Sequence, residues 1–286
     1  MKRILKIGAF SALAALGFSV VAFDWPQNAI LSDSFYSYFG QLRGGRMSQS
    51  LVFSDTENVS IADDGNVVVL FTEHGDSDIF ESTLGNAAVI AHDDGMLTVY
   101  ANLDSVEQIA DATEVKAGTS LGVTSNSGWQ EGFACLEFQV VDTVNKSFIN
   151  PRVLMPRTGD EIPLELRNVT AVNKAGISYG LGSVKTLNAG SYMIYNERQD
   201  VAIPYKSTIY INGVVVESLQ YSVLYEVDGK LCVKGKNLHP LSTVYPSSDR
   251  QFLGEISVPR GHNEIQVVIS DILGKEYVST YIVDAR

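Results

Sequence analysis

The chain is poor in positive charge. Its 286 residues contain 21 Lys and Arg against 33 Asp and Glu, which gives a formal net charge of −12. This deficit argues against nucleic acid as a partner, because affinity there rests on neutralising phosphates with basic side chains. It argues equally against a simple electrostatic attachment to anionic lipid. An acidic balance of this kind suits a chain that stays soluble outside the cytoplasm.

Cysteine and histidine are also scarce. The two cysteines are Cys135 and Cys232, and the four histidines are His74, His92, His239 and His262. An exported chain can pair two cysteines. These two fall in different predicted domains, however, and Cys135 lies in an apolar strand pattern, so we expect two buried free thiols. The histidines form no recognisable motif, and no nucleophile-elbow pattern flanks any serine.

The N-terminus has the pattern of a secretory signal. Residues 1–6 are basic, residues 7–21 are apolar or small, and Ala22 ends a small-residue cleavage site. We expect a signal peptide at 1–22, a periplasmic or secreted location, and no integral membrane segment after cleavage. The rival interpretation is an uncleaved anchor, since the apolar run has the length of a short membrane span. No cysteine follows the apolar run, which disfavours a lipoprotein.

Helical periodicity is absent from the sequence, and strand signals dominate it. Residues 87–92 and 96–100 flank a turn that contains Gly95, and residues 208–211 and 214–216 flank Asn212-Gly213. Both arrangements predict β-hairpins. Residues 156–162 are polar and turn-rich, as at a domain boundary. We therefore predict an all-β chain with domains at 30–157 and 160–286, the second an immunoglobulin-like β-sandwich.

A series of short motifs runs in a fixed order from Phe39 to Pro151. Together they resemble the lysostaphin-type, or LytM-like, peptidoglycan endopeptidase family. The resemblance implies that residues 30–157 form a LytM-like antiparallel β domain. The segments that carry it are Gly44-Gly45-Arg46-Met47, Asp64-Gly65-Asn66-Val67-Val68, Gly85-Asn86-Ala87-Ala88-Val89-Ile90-Ala91-His92, Thr98-Val99-Tyr100-Ala101-Asn102-Leu103, Val115-Lys116-Ala117-Gly118 and Asn150-Pro151.

The resemblance breaks at the metal site. The family binds zinc through a His-x-x-x-Asp pair and the second His of a His-x-His pair, and the zinc activates a water molecule. Ser48 and Val52 stand at the first pair, and Glu137 stands at the last histidine. The resemblance further places Cys135 and Asn102 at histidine positions. It assigns His92 to a second catalytic histidine outside the metal shell.

These replacements predict a catalytically degenerate domain with no catalytic residue, no metal and no cofactor. A new metal site built from His92, Cys135 and Glu137 is disfavoured, because such sites need ligand number and geometry together. We expect an exported envelope protein that binds peptidoglycan or regulates a peptidoglycan hydrolase, with the C-terminal domain as a spacer or docking module. The alternatives are an active zinc endopeptidase with unusual ligands and a structural or adhesive envelope protein. The predicted groove is lined by Ser48, Val52, His92, Asn102, Cys135 and Glu137.

Overall fold

A computed structural model describes residues 23–28, 32–55, 57–72, 83–93, 95–128, 132–157 and 159–286. The predicted signal peptide at 1–22 lies outside these residues. Within the described ranges, no helix has the length and apolar character that crossing a membrane requires. Both cysteines are buried and unbridged, as predicted.

The N-terminal half is built from short strands, with three single-turn 3-10 helices at Ser32–Ser34, Glu107–Ile109 and Pro151–Val153. The central strands of this half are buried on successive residues, so both faces of the sheet are covered there, whereas the strand Gly65–Phe71 is more exposed. The strands are β1 (Phe35–Ser37), β2 (Leu42–Arg43), β3 (Arg46–Met47), β4 (Leu51–Phe53), β5 (Asn58–Ser60), β6 (Gly65–Phe71), β7 (Asn86–Ala91), β8 (Met96–Leu103), β9 (Glu114–Val115), β10 (Ser120–Val123), β11 (Leu136–Asp142) and β12 (Ser147–Ile149).

The C-terminal half contains longer strands and one short helix, α1 (Leu241–Val244). Its strands are β13 (Thr170–Asn173), β14 (Ser178–Gly180), β15 (Thr186–Leu187), β16 (Gly190–Glu197), β17 (Lys206–Ile211), β18 (Val214–Val227), β19 (Lys230–Lys234), β20 (Leu238–Pro240), β21 (Arg250–Val258), β22 (Gly261–Ser270) and β23 (Glu276–Ala285). The all-β prediction is confirmed. The immunoglobulin-like assignment of this half stays a prediction.

Turn chemistry explains both predicted hairpins. Strands β7 and β8 pair antiparallel across the turn that ends at Gly95, and β17 pairs with β18 across Asn212 and Gly213. Asn212 and Gly213 have φ values of 51° and 78°. A type I′ turn requires positive φ at both central residues, and asparagine and glycine adopt this conformation at low cost.

One sheet runs through both halves of the chain. Its main path is β15-β23-β22-β17-β18-β12-β11-β8-β7-β6-β9, and a separate sheet, β14-β13-β16-β21, belongs to the C-terminal half. The two halves meet where β12 pairs with β18, with Phe148 opposite Leu224. The domain boundary between 157 and 160 stays a prediction. The structure adds that the sheet crosses it without interruption.

Three apolar cores hold the molecule together. One lies inside the N-terminal half and a second lies between the two sheets of the C-terminal half. The third is shared by the two halves, because Phe39 and Met47 pack with Tyr195, Leu219 and Tyr221. Burial of large apolar side chains stabilises by roughly 2 kcal/mol for each side chain, so a core of this kind fixes the two halves against each other.

Candidate functional site

An open cleft forms where β11 changes partner. Residues 136–138 of β11 pair with β4, and residues 140–142 pair on the same side with β12. The sheet therefore divides at Gln139. One branch leads through β4 to β1, and the other leads through β12 to β18. The cleft between the branches has a volume of about 1660 Å³ and is lined by residues of both halves.

The floor of the cleft carries a connected polar network. Arg43 donates from Nη1 to Glu137 Oε2 at 3.1 Å and to Ser50 Oγ at 3.5 Å. Gln139 donates from Nε2 to Glu137 Oε1 at 3.1 Å, and Gln49 donates from Nε2 to Gln139 Oε1 at 3.2 Å. The Arg43 and Glu137 side chains are only 18% and 13% exposed. Their charges therefore compensate each other in a largely desolvated place.

Ser48 joins this network through Ser50, whereas Val52 lies beside the network and has no polar side-chain atom to add to it. Ser48 donates from Oγ to the carbonyl oxygen of Ser50 at 3.0 Å, and its Oγ lies 3.3 Å from Ser50 Oγ. Val52 lies opposite Glu137 on one side and opposite Ser37 on the other. It is completely buried, because β4 is an interior strand at this point. Val52 therefore lies beside Glu137 without lining the cleft, whereas Ser48 and Glu137 are both part of the lining.

Asn102 and Cys135 are in contact with each other at the end of β8. Asn102 donates from Nδ2 to Cys135 Sγ at 2.9 Å, and its Oδ1 accepts from the Gly128 N–H at 2.7 Å. Asn102 has a φ of 70°, in the left-handed region that asparagine tolerates better than most residues. Its backbone also bonds Leu84 and Ser125. Asn102 therefore fastens together the loops that meet at this end of the sheet.

His92 lies away from the predicted groove. It follows β7 and pairs with Met96, which in turn lies opposite Asp142, whereas Glu137 lies opposite Ala101. Five residues along β11 correspond to roughly 17 Å. Of the six residues predicted to line the groove, the cleft lining contains Ser48 and Glu137. The register of the sheet places His92 at the opposite end. The other four predicted residues are thus buried outside that lining: Val52, His92, Asn102 and Cys135. His92 also does not approach Glu137 or Cys135 to form a new metal site.

The surroundings of His92 are those of a structural histidine. Its Nδ1 lies 2.8 Å from the carbonyl oxygen of Asp64, and its Nε2 lies 2.8 Å from Thr98 Oγ1. A carbonyl oxygen only accepts, so Nδ1 carries the proton and Nε2 accepts from Thr98. Thr98 is also hydrogen-bonded to Tyr100, whose pKa is raised to about 12 by burial. The Tyr100 hydroxyl then accepts from the Ala62 N–H at 2.7 Å.

Comparison with known proteins identifies the N-terminal half. The family model described as "Peptidase family M23" matches residues 49–151. An uncharacterized protein of Treponema pallidum (strain Nichols) is 33% identical over 119 residues, which cover 38% of this chain and 79% of that protein. The N-terminal half contains a domain of peptidase family M23. A second family model, without a description, matches residues 163–286.

Solved structures similar to this chain include peptidases and one protein complex. A zinc-containing peptidase from Vibrio cholerae is 22% identical, with 37% of this chain and 32% of that chain covered and a TM-score of 0.31. The catalytic domain of EnpA from Enterococcus faecalis is 21% identical, with 41% of this chain and 88% of that chain covered and a TM-score of 0.34. The structure of the SpoIIIAH–SpoIIQ complex is matched at 20% identity, with 42% of this chain and 77% of that chain covered and a TM-score of 0.29. Each match covers less than half of this chain.

The residues at the metal position of this M23 domain do not fit zinc. A catalytic zinc site needs three nitrogen, sulfur or carboxylate ligands and an open position. Val52 has no donor atom, the Ser48 hydroxyl is a poor zinc ligand, and Glu137 is held by the Arg43 guanidinium. A fixed cation beside the single carboxylate opposes the binding of a dication. Within the described ranges, no group of three His, Cys, Asp or Glu side chains is arranged to hold a metal.

Four residues of the polar network were missed by the sequence prediction. They lie outside the positions that the family motifs mark, so a comparison of motifs passes over them: Arg43, Gln49, Ser50 and Gln139. One signal was present in the chain: a carboxylate at Glu137 without its metal needs another positive charge. The sequence contains several basic residues before β4, and only the structure shows that Arg43 is the one that reaches Glu137.

Proposed function

We propose that this chain is an exported cell-envelope protein whose degenerate M23 domain binds the peptide part of peptidoglycan without cleaving it. The observation that carries the proposal is the ion pair between Arg43 and Glu137, the residue that the resemblance places at the family's last zinc ligand. The cleft of the peptidase fold is open, but its floor holds hydrogen-bonding side chains in place of a Lewis acid. Such a floor binds amides and charged groups, yet it has nothing that activates water.

The composition of the floor supports a peptide ligand. The amide groups of Gln49 and Gln139 and the hydroxyl groups of Ser48 and Ser50 both donate and accept hydrogen bonds. Peptide backbones present the same two kinds of group in alternation, so amide side chains in an open cleft match them. The signal pattern at residues 1–22 and the acidic composition favour export, which places the chain in the compartment that contains peptidoglycan.

A test of the proposal uses the chain from Phe23 to Arg286 and purified peptidoglycan sacculi. We expect the protein to sediment with the sacculi, to carry far less than one zinc per chain, and to release no soluble fragments. Arg43→Ala should weaken sedimentation, whereas Lys206→Ala, on an exposed part of β17, should not. One bound zinc per chain together with cleavage that a chelator abolishes would establish the active endopeptidase instead.

A second measurement examines the metal position itself. We expect Ser48→His alone to bind no zinc, because one imidazole cannot replace a complete ligand set. Introducing Val52→Asp and Glu137→His in the same chain removes the carboxylate that contacts Arg43 and restores three ligands, two imidazoles and one carboxylate. Zinc binding by the triple variant but not by the single variant would support the degenerate-site interpretation. Tight zinc binding by the unmodified chain would contradict it.

A further inference from the structure

The C-terminal half forms one wall of the cleft. The lining on this side includes Arg198 and Asp200 before β17, Glu226 at the end of β18, Lys230 at the start of β19, and Ser242 in α1. The opposite side and the floor come from the N-terminal half. A module that served only as a spacer would not contribute to the surface on which the M23 domain meets its ligand.

This wall is fixed relative to the floor. Tyr245 donates from Oη to the carbonyl oxygen of Gly40 at 2.9 Å, and Gln41 donates from Nε2 to the carbonyl oxygen of Asp200. Strand β18 pairs with β17 in one half and with β12 in the other. The hairpin formed by β18 and β19 therefore keeps its position beside the polar network. Preorganisation of this kind lowers the entropic cost of binding.

The charges of the cleft are balanced, in contrast to the rest of the chain. Four acidic side chains and four basic side chains line it, whereas the whole chain has 33 acidic and 21 basic residues. Two of the four pairs are made within the protein, since Arg43 contacts Glu137 and Arg198 contacts Asp200 at 2.8 Å. The ion pairs within the described ranges do not include the other four charged side chains, which are exposed: Asp33, Arg46, Glu226 and Lys230.

We infer that the C-terminal wall is a recognition surface for a zwitterionic peptide, one that carries both a free amine and a free carboxylate. A polyanionic ligand would be repelled by the net charge of −12 and would meet as many acids as bases in the cleft. A polycation would also meet equal numbers of both signs there. A ligand with both charges gains an attraction at each, and so fits this lining best. The inference rests on the proposed function and adds the ligand's charge class and the contributing half.

Two synthetic probes test the charge class. The first is a stem-type tetrapeptide with an acetylated N-terminus, a free side-chain amine on its diamino acid and a free C-terminal carboxylate. The second is the same peptide with that amine acetylated and the C-terminus amidated. We expect the full mature chain to bind the charged peptide about fivefold more tightly at low salt, with the advantage shrinking as salt is added. Equal affinities for the two probes would overturn the inference.

A pair of matched variants tests the wall. Glu226→Gln with Lys230→Gln keeps the net charge and should reduce the advantage of the charged peptide to less than about twofold. The control is Lys206→Gln with Glu276→Gln on the exposed part of β17 and β23, which should keep the full advantage. Thermal unfolding checks that both variants are folded. An undiminished advantage in the cleft variant would overturn the inference.

The two proposals fail in different ways. If the unmodified chain does not sediment with sacculi, the proposed function is wrong and the inference falls with it. If it sediments but the cleft variant and the control behave alike towards the probes, the peptidoglycan proposal stands and the role of the wall is refuted. If it sediments but binds neither peptide, the ligand is not a charged peptide, and the inference is likewise refuted.

Discussion

Both ends of the β8–β11 pair carry polar side chains, but those at one end face an open cleft and those at the other end are buried. At one end, Arg43 and Glu137 face an open cleft. At the other end, His92 and Thr98 form a chain of hydrogen bonds that is buried beneath Phe23, whose ring lies 5.0 Å from the imidazole. The comparison shows that His92, which matches the family motif, serves the fold, while Ser48 and Glu137, which depart from the motif, line the cleft. Position along the sheet, rather than residue type, separates the two roles.

The largest effect is expected from Gly85, which lies at the cleft end. Its φ is 62°, and an added Cβ would lie 2.2 Å from the Gly128 nitrogen. Gly85→Ala therefore combines a left-handed conformation with an overlap of backbone atoms, and we expect a loss of about 4 kcal/mol or more in the free energy of unfolding. Gly118→Ala is the matched control: its φ is 78° with no atom within 4 Å, so about 1 kcal/mol is expected. Denaturant unfolding measures both, and equal losses would contradict the overlap.

The ion pair at the cleft floor gives the next effect. Glu137→Ala leaves the Arg43 guanidinium without its carboxylate in a place where it is only 18% exposed. We expect a loss of about 3 kcal/mol, at the low end for a buried pair that loses one member. Arg43→Met combined with Glu137→Leu removes both charges and should cost less than Glu137→Ala alone. A double variant that is the less stable of the two would show that the pair contributes more than it costs to desolvate.

The buried end should respond differently. His92→Gln disturbs two hydrogen bonds of 2.8 Å and the contact with the Phe23 ring, so we expect a loss of about 2 kcal/mol in stability. Binding to sacculi should be unchanged, because His92 lies outside the cleft. Thr98→Val removes the hydroxyl that is hydrogen-bonded to His92, and it should lower the free energy of unfolding by a similar amount. If the His92 variant keeps its native stability but no longer sediments with sacculi, His92 takes part in binding, and the structural role is refuted.

The smallest effect concerns pH and a second histidine. His239 packs at 4.6 Å from the Phe252 ring, and its Nε2 has no hydrogen-bond partner among the described residues. Burial lowers the pKa of His239 below 6.5, an effect that the nearby Glu217 and Glu255 oppose. The unfolded chain therefore takes up a proton first as the pH falls. The stabilisation that the neutral His239 side chain contributes is fully present above pH 6.5 and is lost as the pH falls through the pKa of His239 in the folded protein.

Thermal unfolding between pH 8 and pH 5 checks this prediction. We expect the unmodified chain to lose up to about 1 kcal/mol more than His239→Gln over that range. His92→Gln is a useful comparison, because both nitrogens of His92 already have partners. If the unmodified chain and His239→Gln show the same pH dependence, groups other than His239 determine the loss of stability at low pH.

Local pattern predicted much of the fold but little of the site. The Asn212-Gly213 turn and the alternating strands around it were predicted because both signals are encoded within a few residues. The pairing of β12 with β18 was not, since the two strands are far apart in the sequence and no short motif specifies such a contact. The sheet divides at Gln139 because β11 pairs first with β4 and then with β12, and the β12–β18 pairing then places the C-terminal half along the cleft. Motif matching also misplaced His92, because it records order along the chain and not register across strands.

Strand β18, with its 14 residues, belongs to both halves at once. Its first part pairs with β17 and its last part with β12, so the two halves are joined here by continuous β-sheet hydrogen bonding. A force that draws the C-terminal half away from the N-terminal half acts on the β12–β18 hydrogen bonds and on the shared apolar core together. The width of the cleft is therefore set by the same bonds that resist such a force. If the wall holds a strand of peptidoglycan, tension in the envelope reaches the ligand through the β-sheet itself.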